Sequence, residues 1–279
     1  MKIDIARQPL VPAFMTLFAL AVAAMCAGIP VSDTSGAVRD ALPLLGGQLA
    51  RFQAAYPVWS KFAAGFMLLF TGMCAGRITI RYNLYTVGTC LPIPLYAIVA
   101  CGIATGGNYL AGFAASMLLS LAPNNYCRAF CNGYGFDAIF RASLYLGLMP
   151  LIYAPALPLL LLLPLAVLLF RRTLREVAVA TAGLLLPVFT ACYVSWGTGA
   201  EFTAPLIKLG QSAIEGMPLH LFLDIPLPAL VMAGGIVLLD LTALFFFLAD
   251  IYAAGTKPRF ILFYNIGILT VSYTHLRAH

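Results

Sequence analysis

The chain has 279 residues, of which 62% are hydrophobic and only 9% are charged, and its mean hydropathy is +0.95. Because soluble domains carry about 25% charged residues, this composition excludes an ordinary soluble domain and predicts an integral membrane protein. The formal net charge of +6 comes from basic residues scattered between apolar segments, which excludes a continuous nucleic-acid-binding face.

Apolar segments recur along the whole chain and predict an all-α, polytopic transmembrane helical bundle with about eight complete spans. The first segment, Leu10–Val31, is long enough at about 1.5 Å per residue to cross a hydrocarbon core of about 30 Å. Lys2 and Arg7 precede it, and the sequence from Ala27 onwards is a poor cleavage site. We therefore expect a retained first helix with a cytoplasmic N-terminus.

Further spans follow the first. Two of them, Val87–Ile103 and Tyr109–Leu121, are short and contain Gly or Pro. For each, the alternative to a straight span is a re-entrant or strongly tilted segment. The other spans are Pro57–Gly76, Phe136–Tyr153, Ala156–Phe170, Val177–Trp196 and Pro228–Leu248, with a truncated span that begins at Phe260. We expect residues 1–270 to form a single transmembrane domain.

The basic residues are distributed asymmetrically about these spans. Strict alternation from a cytoplasmic N-terminus puts most of them on the cytoplasmic side of a bacterial inner membrane, as the positive-inside rule requires. If one of the weak spans did not cross the membrane, the basic turn Arg171–Glu176 would lie on the opposite side from Arg77 and Arg81. Most of the asymmetry would then be lost. The cytoplasmic set is Lys2, Arg7, Arg77, Arg81, Arg128, Arg141, Arg171, Arg172, Arg175, Lys257 and Arg259, and the outer set is Arg39, Arg51, Lys61 and Lys208.

Two long loops then lie on the outer side, residues 32–56 and 197–226. In the first, polar and apolar residues alternate at helical spacing up to Phe52, which predicts a short interfacial helix broken by Pro43 and Gly46. The second contains a similarly mixed stretch, Ala204–Ile214. Neither loop is rich in Ser and Pro, so we expect both to be folded.

Asp33 and Asp40 lie in the first outer loop and are the candidate catalytic residues. An acid and a base on this side of the membrane would face lipid-linked sugars. The alternative is a structural role, in which Asp33 caps the next helix. The other acidic residues and the histidine that these loops offer as partners are Glu201, Glu215, Asp224 and His220.

Asp240 is an intramembrane polar residue near the middle of Pro228–Leu248. An unpaired carboxylate at that depth costs about 2.5 to 3.5 kcal/mol on insertion scales, so Asp240 must be neutral, hydrated or paired. Two interpretations stay open. One is contact with a proton, ion or substrate, and the other is a structural hydrogen bond to a neighbouring helix.

Four arginines are candidate head-group or phosphate-binding residues on the cytoplasmic side. Asp137 and Arg141 are four residues apart at the start of a helix, which predicts an ion pair, with phosphate binding by Arg141 as the functional alternative. The turn Arg171–Glu176 is predicted to anchor the bundle, and its arginines would also suit a polyprenyl-phosphate head group. These arginines are Arg171, Arg172 and Arg175.

Motifs for nucleotide, dinucleotide and zinc chemistry are missing from the sequence. It has no Walker loop, no His-Glu-x-x-His and no Gly-x-Ser-x-Gly, and its seven cysteines form no Cys-x-x-Cys pair. We therefore predict neither a cofactor nor a metal site, and we expect membrane lipids rather than nucleic acid as partners.

The run that begins at Phe140 has paired short spans around Tyr153, an Arg-Arg-x-x-Arg-Glu turn and Pro187 in the next helix. It resembles an uncharacterised family of multi-pass inner-membrane proteins from Bacteroidetes, more loosely upstream to Arg77. The resemblance assigns no reaction and implies a natural chain longer than Thr270. Consistently, Val271–His279 (VSYTHLRAH) resembles a translated sequencing adapter, which predicts a non-native tail.

Two function classes stay open. The cytoplasmic N-terminus, the acidic first outer loop and the interfacial helix resemble polytopic glycosyltransferases that use polyprenyl-phosphate-linked sugars, which implies a role in cell-envelope glycan assembly. The alternative is a non-catalytic membrane component or a transporter. In that case Asp240 and the small residues Ala233, Gly234 and Gly235 would serve packing or a permeation path.

Overall fold

A computed structural model describes residues 10–26, 44–81, 90, 92–103, 109–131, 135–161 and 173–215, with separate positions between 231 and 245. Within these residues the fold is all-helical, as predicted. The helices are α1 (Leu10–Cys26), α2 (Leu44–Ala55), α3 (Pro57–Arg81), α4 (Pro92–Ile103), α5 (Tyr109–Cys131), α6 (Phe136–Ile152), α7 (Leu174–Gly197) and α8 (Ala204–Glu215). A 3₁₀ segment, Ala154–Leu161, follows α6.

Helices α1, α3 and α4 form one side of the bundle. Gly65, near the start of α3, faces Met25 at the end of α1, and Gly72 faces Leu17, so α1 and α3 are antiparallel. Ile93, at the start of α4, faces Gly76 near the end of α3. Glycine at these positions lets large side chains of the neighbouring helix approach the α3 backbone closely.

Helix α5 joins this side to the rest of the bundle. The hydroxyl of Tyr109, the first residue of α5, is hydrogen-bonded to Ser60 near the start of α3, so α3 and α5 run in the same direction. Helix α6 returns antiparallel after a short connection, and the Tyr126 and Ser143 hydroxyls pair across the two helices at 3.1 Å. The connection is tight at Gly135, where a Cβ would lie 2.8 Å from Ala129 Cα.

Helices α6 and α7 point in the same direction. Helix α8 follows α7 directly, and it packs against α7, the 3₁₀ segment and α2. The 3₁₀ segment follows the C-terminus of α6, and α2 precedes the N-terminus of α3. Residues 162–172, which connect the 3₁₀ segment to α7, lie outside the described residues.

The buried side chains form two clusters that meet along α5. One lies between α5, α6, α7 and the 3₁₀ segment, and the other lies between α1, α3, α4 and α5. Leu49 of α2 and Met67 of α3 pack against both. Many of the buried residues are alanines, including Ala97, Ala122 and Ala142, and small side chains allow helices to pack closely.

The helices differ from the predicted elements at two places. Helix α2 continues through Gly46, which is buried, so the predicted break at this residue is wrong. Helix α5 continues past the predicted end at Leu121 and through Pro123. The side-chain amide of Asn125 donates to the Leu121 carbonyl of the same helix at 2.9 Å.

Among the described helices, two are long and apolar enough to cross a membrane, over Pro57–Arg77 and Leu174–Gly197. The other helices fall short for physical reasons. Helices α1 and α6 have 17 residues each, which corresponds to about 26 Å. Helix α4 has 12 residues, and α5 carries Pro123 and two asparagines in its second half.

Gly147 lies at the close contact between α6 and α7, so a substitution there tests this contact. A Cβ at this position would collide with the backbone carbonyl of Leu184, which cannot move as a side chain does. We expect Gly147→Ala to lower the free energy of unfolding by about 1–3 kcal/mol, the usual cost of overpacking. Thermal unfolding of the purified protein measures it.

Gly210→Ala is the matched control, since a Cβ at Gly210 of α8 meets nothing within 4 Å. It removes a helical glycine without a collision and should be neutral or stabilising by up to about 1 kcal/mol. Equal stability changes in the two variants would contradict the close contact between α6 and α7.

Candidate functional site

Exposed tyrosines and tryptophans gather at one end of the bundle, which we call the tryptophan end. Both tryptophans of the chain are there, Trp59 in the first turn of α3 and Trp196 in the last turn of α7. The ring centroids of Tyr193 and Trp196 are 6.0 Å apart, and those of Trp59 and Phe62 are 6.4 Å apart. The exposed residues of this end are Tyr56, Trp59, Tyr153, Tyr193 and Trp196.

Exposed arginines gather at the opposite end, which we call the arginine end. Arg77 and Arg128 lie near the C-termini of α3 and α5, and Arg141 and Arg175 lie near the N-termini of α6 and α7. The predicted ion pair is confirmed, since Arg141 Nε donates to Asp137 Oδ1 at 3.0 Å. Both side chains are more than half exposed, so the pair contributes little to stability and Arg141 is accessible to a ligand.

The two ends are separated by a nearly constant length of helix. At about 1.5 Å per residue, Trp59 and Arg77 of α3 are about 27 Å apart along the axis. Tyr109 and Arg128 of α5 are about 29 Å apart on the same basis. Arg175 and Trp196 of α7 are about 32 Å apart. These lengths agree with the thickness of a hydrocarbon core, about 30 Å.

Helices α2 and α8 cover the tryptophan end. Helix α2 packs against α3, α5, α6 and α8, so the two predicted outer-loop helices touch each other. Gln53 of α2 accepts a hydrogen bond from the backbone N–H of Leu110 at 3.4 Å. This contact satisfies one of the free amides at the start of α5 and holds α2 across the helix end.

A buried hydrogen bond lies directly below α2. The Ser60 hydroxyl donates to the Pro57 carbonyl at 2.8 Å and accepts from the Tyr109 hydroxyl. Ser60 is fully buried and Tyr109 is 4% exposed. Because an apolar environment penalises an unpaired hydroxyl, this pair fixes the position of α5 relative to α3.

Hydroxyl groups pair across the helices at two further levels. Tyr96 of α4 is hydrogen-bonded to Ser116 of α5 at 2.8 Å, with the buried Thr71 of α3 close by. Tyr126 and Ser143 pair nearer the arginine end. These groups are weak acids and bases without a described carboxylate or histidine beside them, so they hold helices together rather than form a catalytic site.

Glu176 is the buried acidic side chain of the described region, at 4% exposure. Its carboxylate accepts from the backbone N–H of Thr173 at 3.1 Å and from the Thr173 hydroxyl at 3.2 Å. This is the carboxylate half of a capping box at the N-terminus of α7. Arg172 precedes Glu176 by four residues, a spacing that predicts a contact between them on one helix face. Arg172 lies outside the described residues.

Most sequence-predicted site residues also lie outside the described residues. They are Asp33, Asp40, Asp240, Arg171 and Arg172. The described ones, Arg141 and Arg175, both lie at the arginine end. No group of three or more His, Cys, Asp or Glu side chains in the described part of the chain could hold a metal ion.

The aromatic residues of the tryptophan end are the feature that sequence reasoning missed. The signal was present, since Trp59 and Trp196 begin and end the predicted spans Pro57–Gly76 and Val177–Trp196. A tyrosine precedes each of them by three residues. Interfacial Trp and Tyr at helix ends are a known marker of membrane boundaries.

Comparison with models of known protein families, with curated proteins and with solved structures gives no match to this chain.

The buried pair of Ser60 and Tyr109 generates a stability prediction. Tyr109→Phe removes the donor, and Ser60→Ala removes the acceptor and strands the Tyr109 hydroxyl in an apolar site. We expect each to cost about 1–2 kcal/mol in the free energy of unfolding. A double-mutant cycle by thermal unfolding should show a coupling of about 0.6 kcal/mol or more.

Tyr193→Phe is the control, because the Tyr193 side chain is 66% exposed. It should leave the free energy of unfolding within about 0.5 kcal/mol of the parent. Additive effects of Tyr109→Phe and Ser60→Ala would show that the hydroxyl pair does not connect α3 and α5.

Proposed function

We propose that this chain is a multi-pass protein of the bacterial inner membrane, with its N-terminus in the cytoplasm. One observation carries the proposal: α3 and α7 each have an exposed Trp at one end and an exposed Arg at the other, about 27 Å and about 32 Å apart along the helix axes. Aromatic residues prefer the membrane interface, and arginine prefers the cytoplasmic side.

The exposed surface between the two ends supports a membrane environment. Of the apolar windows of Pro57–Arg77 and Leu174–Gly197, 33% and 22% are buried. The central helix of a soluble protein would be mostly buried instead. Large apolar side chains such as Phe66, Phe189 and Leu186 are 66%, 56% and 46% exposed, a surface that hydrocarbon solvates and water does not.

The directions of the helices support the proposed alternation of spans. Helices α3 and α5 run from the tryptophan end to the arginine end, and α1, α6 and α7 run the opposite way. In this proposal the predicted span Ala156–Phe170 connects α6 to α7, which point in the same direction. The positive-inside rule then assigns the arginine end to the cytoplasm and the tryptophan end to the outer side.

We further propose that the protein acts at the outer side, in cell-envelope glycan assembly with polyprenyl-phosphate-linked sugars. Asp40 precedes the first residue of α2, Leu44, by four positions, and α2 lies across the tryptophan end. In this proposal the loop that carries Asp33 and Asp40, which lies outside the described residues, places them at the end where such a substrate presents its sugar. In this proposal the two carboxylates act as acid and base.

A non-catalytic membrane component is the second candidate. The observation that favours it is the composition of the described core, in which alanines and hydroxyl pairs connect the helices and no cluster of acidic groups is found among the described residues. Asp240 would then carry the function, through an ion or proton contact within the membrane.

Substitution of the acids separates the two candidates. If Asp33 and Asp40 act as acid and base, Asp33→Ala and Asp40→Ala should each lower glycan transfer about 10²- to 10⁴-fold, the usual contribution of such a group. Asp240→Asn should leave it unchanged. The measurement is the amount of envelope glycan in cells that express each variant at equal level.

Asp137→Asn is the control for loss of a carboxylate at the other end of the bundle, because Asp137 is exposed and pairs only with its own helix in the Arg141 bridge. It should behave as the parent. Normal glycan in both outer variants, with a defect in Asp240→Asn, would reject the enzyme and favour the second candidate.

A further inference from the structure

Three exposed arginines lie at one depth of the arginine end, on three neighbouring helices. Arg77 is on α3, Arg128 on α5 and Arg141 on α6, and all three are exposed. Helix α5 packs against both α3 and α6. The depth of each arginine follows from the hydrogen bonds that fix the register of these helices.

The register of α5 against α6 places Arg128 and Arg141 at the same level. These helices are antiparallel, and the hydroxyls of Tyr126 and Ser143 pair across them at 3.1 Å. Arg128 follows Tyr126 by two residues and Arg141 precedes Ser143 by two. Both arginines therefore lie about 3 Å beyond this pair, towards the arginine end.

The register of α3 against α5 places Arg77 close to the same level. Ser60 and Tyr109 pair near the tryptophan end, and from there the two helices run in the same direction. Arg77 is about 26 Å beyond Ser60 and Arg128 about 29 Å beyond Tyr109 along the helix axes. The three arginines therefore lie within about 3 Å of one plane.

Positive charge exceeds negative charge at this plane. Among the described residues, Asp137 bridges to Arg141, and neither Arg77 nor Arg128 forms an ion pair with a carboxylate. The other described acid near this end, Glu176, is buried in the capping box of α7. Like charges at one level repel each other, and anions bound beside them offset that repulsion.

We infer that Arg77, Arg128 and Arg141 form a binding surface for the head groups of anionic phospholipids. The inference rests on the proposed function, which puts this plane about 27 Å from Trp59, at the edge of a hydrocarbon core of about 30 Å. Arginine binds phosphate oxygens through two parallel hydrogen bonds, and the cytoplasmic leaflet is rich in anionic lipid. Because neighbouring helix axes are about 8–10 Å apart, three helices spread the charges over a surface, which favours a layer of head groups over a single phosphate ion.

Thermal unfolding with added lipid tests this surface. The full-length protein in micelles of a neutral detergent receives phosphatidylglycerol or phosphatidylcholine with the same acyl chains, so the two additions differ in head-group charge. A lipid that binds the folded protein raises Tm. The measured quantity is the concentration of phosphatidylglycerol that raises Tm by a fixed amount. Phosphatidylcholine at that concentration should raise Tm much less.

Substitution of the arginines should increase that concentration. We expect an increase of about fivefold for Arg128→Gln and of about 100-fold for the triple variant Arg77→Gln, Arg128→Gln and Arg141→Gln, since each basic residue near the surface contributes similarly to the attraction. Arginines that served helix stability alone would lower Tm equally with and without lipid. The rise in Tm caused by phosphatidylglycerol would then be unchanged.

The matched control removes three basic residues from the tryptophan end. Arg51→Gln, Lys61→Gln and Lys208→Gln change the net charge by the same amount as the arginine triple variant. This control should keep the parent's response to phosphatidylglycerol. Should the arginine triple variant fail to fold, Arg128→Gln compared with the parent decides, because Arg128 is exposed and its substitution leaves the buried clusters intact.

Three results would overturn the inference. An equal rise in Tm with phosphatidylglycerol and phosphatidylcholine would show that head-group charge is not recognised. Equal losses of response in the arginine triple variant and in its control would assign the effect to net charge. An equal rise with inorganic phosphate at the same concentration would assign the arginines to a free anion.

The lipid surface and the proposed function fail separately, because an export-dependent reporter fused after Glu176 reports orientation and the rise in Tm reports lipid binding. An unselective rise in Tm with an inactive reporter would overturn the lipid surface and leave the proposed orientation in place. A selective rise that the arginine triple variant abolishes, with an active reporter, would support the lipid surface and overturn the proposed orientation.

Discussion

In the proposed membrane, the constraint on which this structure depends is the separation of its aromatic and basic ends by the thickness of a hydrocarbon layer. Three helices, α3, α5 and α7, repeat a separation of about 30 Å between an aromatic residue and an arginine, although their sequences differ. In the proposed membrane, every backbone group within that layer must be paired inside the protein, so helices are the form the chain can take.

The packing between the helices depends on small residues and hydroxyl pairs. In the proposed lipid environment, which is as apolar as leucine, close approach and hydrogen bonds take over the part that hydrophobic burial has in water. Helix α5 illustrates both, because it pairs with α3, α4 and α6 through Tyr109, Ser116 and Tyr126. The result is a frame that places α2 and α8 together at the tryptophan end, where the proposed chemistry takes place.

Much of the fold could be predicted from the sequence, and the gaps have physical causes. Composition predicts the helices, and the four-residue spacing predicts the bridge between Asp137 and Arg141. The sequence predicts the end of α5 ten residues too early, because Pro123 and the asparagines that follow it are typical of a helix end. The hydrogen-bond partners of these residues are not known from the sequence. The contact of α2 with α8 could not be predicted, since hydropathy carries no information on which surface segments meet. The sequence predicts which residue types form the candidate site. It does not predict how they are arranged at the tryptophan end, because that arrangement depends on how α2 joins α3.

The most direct test of the central claim is the sidedness of the two ends of α7. A reporter that is active only after export is fused after Glu176, at the arginine end, and in a second chain after Ala200, just beyond Trp196. The account predicts an inactive reporter after Glu176 and an active one after Ala200. Export at both positions, or the reverse pattern, would show that α7 does not cross a membrane with its arginines inside, and would contradict the account.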